Sequence, residues 1–153
     1  MAGQDFVPLF LPGHAVTCLA GGAITAGQVV FVSAGTLTPG TPPLGTPVVS
    51  GGVPNSATVM PTVEATTGAT AELCGVASNT VPTGGTLAVW FDGWHTLATA
   101  GTVSAGDPVT AAASGGVADL GTIGSATVAE LVTVIGHAVS ASADGVVIVK
   151  LNT

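Results

Sequence analysis

The feature that most constrains this chain is a repeat within it. Ala23-Ile-Thr-Ala-Gly-Gln-Val-Val30 matches Thr102-Val-Ser-Ala-Gly-Asp-Pro-Val109, and the shared order is hydrophobe, Thr or Ser, Ala, Gly, polar residue, then Val. Further on, Cys74-Gly-Val-Ala77 matches Ile135-Gly-His-Ala138. Each is followed by a polar stretch, a glycine (Gly85, Gly145) and a strand-like run over 86–90 or 146–150. Repetition on this scale means two copies of one supersecondary unit. Neither copy can bury its apolar face alone, so the two must pack into one barrel or sandwich. The expected organisation is an N-terminal arm over 1–22 and a β domain over 23–153. Module one spans 23–99 and carries a Pro-rich loop at 39–61; module two spans 100–153.

Local chemistry points to an all-β fold with little helix. The 23 Gly and 10 Pro, with abundant Thr and Val, disfavour helices and favour strands and turns. Short β-rich runs bounded by turn residues recur at 28–32, 86–91, 131–135 and 146–150. Turns are expected at Ala34-Gly35, Gly84-Gly85, Asp92-Gly93, Gly115-Gly116 and Asp144-Gly145. Only Ser125 to Leu131 suits a short helical turn. In the final run, Val147, Val149 and Leu151 share one face and Val146 and Ile148 the other, which predicts burial on both sides. In so small a chain a second buried face suggests contact with another copy. Pro39, Pro42, Pro43, Pro47, Pro54 and Pro61 should keep their segment out of a central strand, because proline lacks the ladder N–H. That segment reads either as a passive surface loop or as a protruding contact arm. The stretch from Asp5 to Gly13 is apolar, with Phe6, Leu9, Phe10 and Leu11, and its prolines forbid a regular helix. It is expected to lie against its own subunit, a sister subunit or a partner.

Composition narrows the function. Charged residues make up 6% of 153 residues, against about 25% in ordinary soluble domains. With a mean hydropathy of +0.73, apolar surface is expected to be hidden between subunits. Lys150 is the single basic residue against eight Asp and Glu. Nucleic acid and anionic membranes both demand clustered Lys or Arg, so neither is an expected partner. No apolar run approaches the roughly 18 residues of a membrane helix. Met1-Ala-Gly-Gln-Asp5 has no basic start, and Pro8 and Pro12 break the apolar stretch that follows, so no secretory leader is expected. Synthesis in a cytoplasm follows from that reading. Cys18 and Cys74 lack the paired spacing of a zinc site and read as small buried hydrophobes more readily than as a bridge.

Catalysis needs converging polar groups, and few are visible. His14, His95 and His137 sit in separate segments without metal-ligand spacing. His95, near Asp92, reads as making a local hydrogen bond; His137 stands where the first module has Val76. Gly101-Thr-Val-Ser-Ala-Gly106 has one residue too many for a nucleophile elbow, and its counterpart around Thr25 is a turn. Asp92, Asp107, Asp119 and Asp144 sit beside Gly or Pro turns, where Asp is favoured for its own backbone hydrogen bonds. Catalytic, cofactor-binding and metal-binding residues are therefore expected to be none. Trp90 and Trp94 read as core or interface anchors, with a carbohydrate platform as the alternative.

Taken in order, Phe10-Leu-Pro-Gly-His-Ala-Val-Thr17, Gly22-Ala-Ile-Thr-Ala-Gly-Gln-Val-Val30, Val103-Ser-Ala-Gly-Asp-Pro-Val109 and the ending Gly145-Val-Val-Ile-Val-Lys-Leu-Asn152 resemble the capsid decoration (cement) proteins of tailed bacteriophages, and more narrowly the head-decoration proteins of actinobacterial phages. Members similarly repeat an Ala-Gly-Asp-x-Val turn and end on a Val-rich strand with one basic residue. The resemblance implies a β-barrel or β-tulip subunit, a homotrimer at three-fold sites, and binding to the major capsid protein on the outer surface of the virion. It implies no cofactor. Phe6, Leu9, Phe10, Leu11, Trp90 and Trp94 are the candidate capsid or subunit contacts. Other virion roles (tail tube, fibre, baseplate) and a carbohydrate-binding β module are the alternatives.

Overall fold

The structure, a computed structural model, describes residues 15–38 and 58–151. Within them the fold is all-β, with ten strands and a single turn of α-helix. Five strands form a closed barrel: β1 (Ala15–Ala20), β2 (Val29–Thr38), β3 (Thr58–Ala65), β4 (Cys74–Ala77) and β5 (Thr86–Trp90), in the order β1-β3-β2-β4-β5. Five more form a second sheet: β6 (Gly93–Ala98), β7 (Pro108–Ala111), β8 (Val117–Asp119), β9 (Val134–Ala138) and β10 (Val146–Leu151), in the order β6-β10-β9-β7-β8.

The two orders are the same once β6 to β10 are laid on β1 to β5. In the barrel, Val76 stands opposite Trp90 and Val30 opposite Gly75; in the second sheet, His137 stands opposite Lys150 and Val109 opposite Gly136. The barrel closes where β1 runs parallel to β3, at Leu19–Thr62 and Ala20–Val63. The second sheet has a single parallel bridge at the matching place, Thr99 to Val117. The strand change falls between Trp90 and Gly93, so residues 93–98 pair in the second sheet, ahead of the 99/100 division read from the repeat. Likewise β1 is a barrel strand, and the repeated unit begins one strand before Ala23.

The repeat itself is a tight turn built twice with the same bonds. Gln28 N–H donates to the Thr25 carbonyl at 3.1 Å, and Asp107 N–H to the Ser104 carbonyl at 3.2 Å. The third residue of each turn is left-handed, Gly27 at φ 83° and Gly106 at φ 92°, which a side chain would strain. The fourth residue then reaches back. Gln28 Oε1 accepts from Thr25 N–H at 2.8 Å, and an Asp107 carboxylate oxygen from Ser104 N–H at 2.7 Å. Each glycine N–H donates onward to the fourth strand of its module, at Ala77 or Ala138. The conserved order of residue types is thus the order of jobs in one turn.

Two buried clusters follow. Inside the barrel lie Cys18, Ile24, Val30, Val63, Leu87 and Val89. The second cluster joins the interior of the second sheet (Leu97, Val109, Val117, Val147, Val149, Leu151) to Val29, Cys74 and Val76 of the barrel. Side chains alternate along a strand, so Val29 and Val76 leave the barrel on its outer face and are covered by the other module. Polar bonds pin this seam. Thr66 Oγ1, buried, donates to the Ala112 carbonyl at 2.8 Å, Gly115 N–H donates to the Thr66 carbonyl at 3.0 Å, and Gln28 Nε2 donates to the Ser114 carbonyl at 2.9 Å.

Three expectations are corrected. Ala34-Gly35 is not a turn: β2 runs through it with a register shift between Val32 and Ala34, and the irregularity is absorbed as a bulge. Pro61 lies inside β3, opposite Gly35. It is tolerated because the pairing of β3 with β1 involves only Thr62 and Val63, which leaves Pro61 bonded on one side of the strand. The rest of the Pro-rich loop, 39–57, lies outside the described residues. Finally, β10 is buried on one face only; Val147, Val149 and Leu151 point in, while Val146 is 42% exposed and Lys150 is exposed. The strands buried on both faces are β4 and β7, and for β4 the second cover comes from the same chain.

Candidate interaction surface

Of the residues expected to make contacts, Phe6, Leu9, Phe10 and Leu11 lie outside the described residues, as does His14. Trp90 and Trp94 fall in different sheets. Trp90 ends β5, half-buried, opposite Ala15 and Val76. Its indole N–H is enclosed without an acceptor among the described residues. Trp94 is half-buried in β6, opposite Lys150. Phe91 and Asp92 carry the chain from one sheet to the other, so the two tryptophans stand on strands of different sheets.

The histidines and cysteines are accounted for locally. His95 is fully buried, and its Nε2 donates to the Asp92 carbonyl at 2.9 Å. Burial lowers its pKa from 6.5, against the opposing pull of that bond and of the Asp92 charge, so the neutral ring is the favoured form. His137 is exposed in β9, between Lys150 and Pro108 of its neighbouring strands. Cys18 and Cys74 are free and buried in different clusters. Burial pushes each thiol up to about 11, and for Cys74 the nearby Glu72 charge adds to the rise. Thiols held this far from the thiolate are poor nucleophiles at neutral pH. Among the described residues no three of His, Cys, Asp and Glu are grouped to hold a metal ion, and no helix is long and apolar enough to cross a membrane.

Exposed aliphatic side chains mark the surface feature that stands out. The connection from β3 to β4 and its counterpart from β8 to β9 approach each other and line a hollow of about 200 Å³. Its walls carry Leu73 and Cys74 from one module and their equivalents Val134 and Ile135 from the other, with Glu72 and Val132 beside them. Leu73 and Val132 are each 58% exposed. Next to Val132 is α1 (Val128–Leu131), the one α-helical turn. It is closed by a reciprocal cap: Glu130 N–H donates to Thr127 Oγ1 at 3.3 Å, and Thr127 N–H to Glu130 Oε2 at 2.7 Å. These bonds hold the Glu130 carboxyl below its ordinary pKa. Yet α1 buries none of its residues, and Val128 is 79% exposed. Sequence reasoning placed a helical turn here but missed the surface, because Leu73 and Val132 are far apart in the chain and each alone looks like core.

Comparison with known proteins adds one fold. No protein-family model matches the chain, and no curated protein matches it. Among solved structures it is similar to the N base of the head fiber gp8.5 in bacteriophage phi29, with a TM-score of 0.55 and 15% identity. The likeness covers 91% of this chain and 93% of that one. At that identity it shows a shared fold.

Proposed function

We propose that this chain is a non-enzymatic structural protein of a bacteriophage virion, seated on the head. The observation that carries the reading is the fold likeness to a phage head-fiber base, which runs almost end to end in both chains. Fold alone does not give function, but two further features point the same way. The chain has a single basic residue, which argues against a role on packaged nucleic acid. Several polar side chains among the described residues also bond locally: Gln28 and Asp107 in the paired turns, Thr127 and Glu130 in the cap, Thr66 at the seam between modules.

Two forms of the role follow. In one, the chain is a base that seats on the head and bears an appendage, which the likeness supports directly. In the other, it is a decoration protein that trimerises at three-fold sites and cements the major capsid protein, which the sequence resemblance supports. Purified heads separate them. Blotting of gradient-purified, DNA-filled heads with an antibody to the chain should detect it; heads without it would sink the virion reading. Heads lacking the chain should rupture at lower temperature if it is a cement and at an unchanged temperature if it is a fibre base. Light scattering of the free chain at three times the monomer mass supports the trimer.

A further inference from the structure

The hollow between the two modules has the marks of a surface built for another molecule. The turn α1 is closed at its N-terminus by a reciprocal capping box, yet contributes no buried residue to its own fold. Its aliphatic residues Val128 and Leu131, with Val132 after it, stay exposed, as does Leu73 across the hollow. Two carboxylates accompany these apolar residues. Glu72 lines the hollow, and its field reaches Cys74 at the hollow's wall. Glu130 sits within α1 itself, exposed, with its carboxylate kept ionised by the cap.

That charge chooses the occupant. At this surface a second copy of this chain, with eight Asp and Glu against one Lys, offers little positive charge to meet Glu72 and Glu130. The chain's own apolar N-terminal stretch brings Asp5 and no Lys or Arg. We infer that the hollow and α1 dock a different protein, through a segment whose aliphatic or aromatic side chains are flanked by Lys or Arg. The apolar side chains enter between Leu73 and Val132, and the flanking cations meet Glu72 and Glu130. This inference rests on the virion reading only for where the partner resides: a head protein would present the segment.

The test uses the full isotope-labelled chain and two synthetic peptides of identical apolar sequence, one flanked by lysines and one by glutamates. The lysine-flanked peptide should shift the amide signals of residues 70–74 and 128–135. It should bind about fivefold or more tighter than the glutamate-flanked one at low salt, the scale set by two exposed charge contacts. Glu72→Gln with Glu130→Gln should bring the two peptides within about twofold, since glutamine can keep the cap. Leu73→Ser and Val132→Ser, at exposed positions that leave the core untouched, should each abolish the shifts. Equal binding of the two peptides, or shifts elsewhere, overturns the inference. So does self-association of the peptide-free chain that Leu73→Ser removes, which would make the hollow a contact between copies. A peptide that binds only after residues 1–14 are deleted overturns it too, by making the chain's own N-terminal stretch the occupant. Head binding separates the two claims. If heads carry the Leu73→Ser chain as well as the wild type, only the docking surface fails. If heads carry neither while the lysine peptide binds, only the virion role fails.

Discussion

Gly115 is the residue on which the joining of the two modules bears most directly. Its backbone is left-handed, at φ 72°, and a Cβ there would stand 2.6 Å from the Gln28 Cβ. Two penalties coincide, one from conformation and one from collision. Gly115→Ala should therefore lower Tm by roughly 5 °C or more, given about 1–3 kcal/mol for backbone strain alone. Gly101 is the control: a Cβ there meets nothing within 4 Å and its φ lies outside the left-handed range, so Gly101→Ala should leave Tm unchanged or slightly raised. Thermal scans of the two variants check this; equal losses would show that the seam is not tightly packed. Sequence flagged Gly115-Gly116 as a turn but could not show that another module leans on it, because that neighbour is Gln28, far away along the chain.

At the scale of the element, α1 is unusual in being held by its cap and its local hydrogen bonds, with no buried side chain. Thr127→Ala removes that cap, worth about 1 kcal/mol to a helix. Since α1 buries nothing, the loss should stay local. Hydrogen exchange at residues 128–133 should quicken several-fold, while the urea midpoint of the whole chain should scarcely move. A global loss of stability would mean that α1 braces the core after all. The elements also show what could be read in advance. The turns at Gly84-Gly85 and Asp144-Gly145 are where expected, because positive φ at Gly84, Asp144 and Gly145 is a local demand that local sequence can meet. The bulge in β2 and Pro61 within β3 were not legible, since both depend on which strands happen to flank them.

For the whole molecule, the repeat was enough to give an all-β fold of two related modules, but not the interface between them. Apolar residues on both faces of a strand suggest contact with another copy. In β4 the cover is the chain's own second module, which the alternation of side chains cannot distinguish from a neighbour. The candidate surface was still less legible, because it exists only where two distant connections meet. A shared core has a thermodynamic signature. Val29, Cys74 and Val76 of the barrel lie in one cluster with the interior of the second sheet, so neither module should unfold alone. Trp90 reports on the barrel and Trp94 on the second sheet. Urea unfolding followed by fluorescence in Trp90→Phe and in Trp94→Phe should show a single transition in each, coincident with the circular dichroism of that same variant. If the remaining indole and the dichroism of either variant report different midpoints, the modules unfold independently.

Lys150, the lone basic residue, has a consequence of another kind. Trypsin cuts after Lys and Arg, and these 153 residues offer it one bond. That bond lies in β10, laddered to β6 on one side and β9 on the other, and it would have to come out of the sheet to enter a protease cleft. Even when cut there, residues 1–150 stay joined. Folded or unfolded, it passes through tryptic digestion as nearly one piece. An inventory built from tryptic peptides would overlook it, however many copies a particle carried.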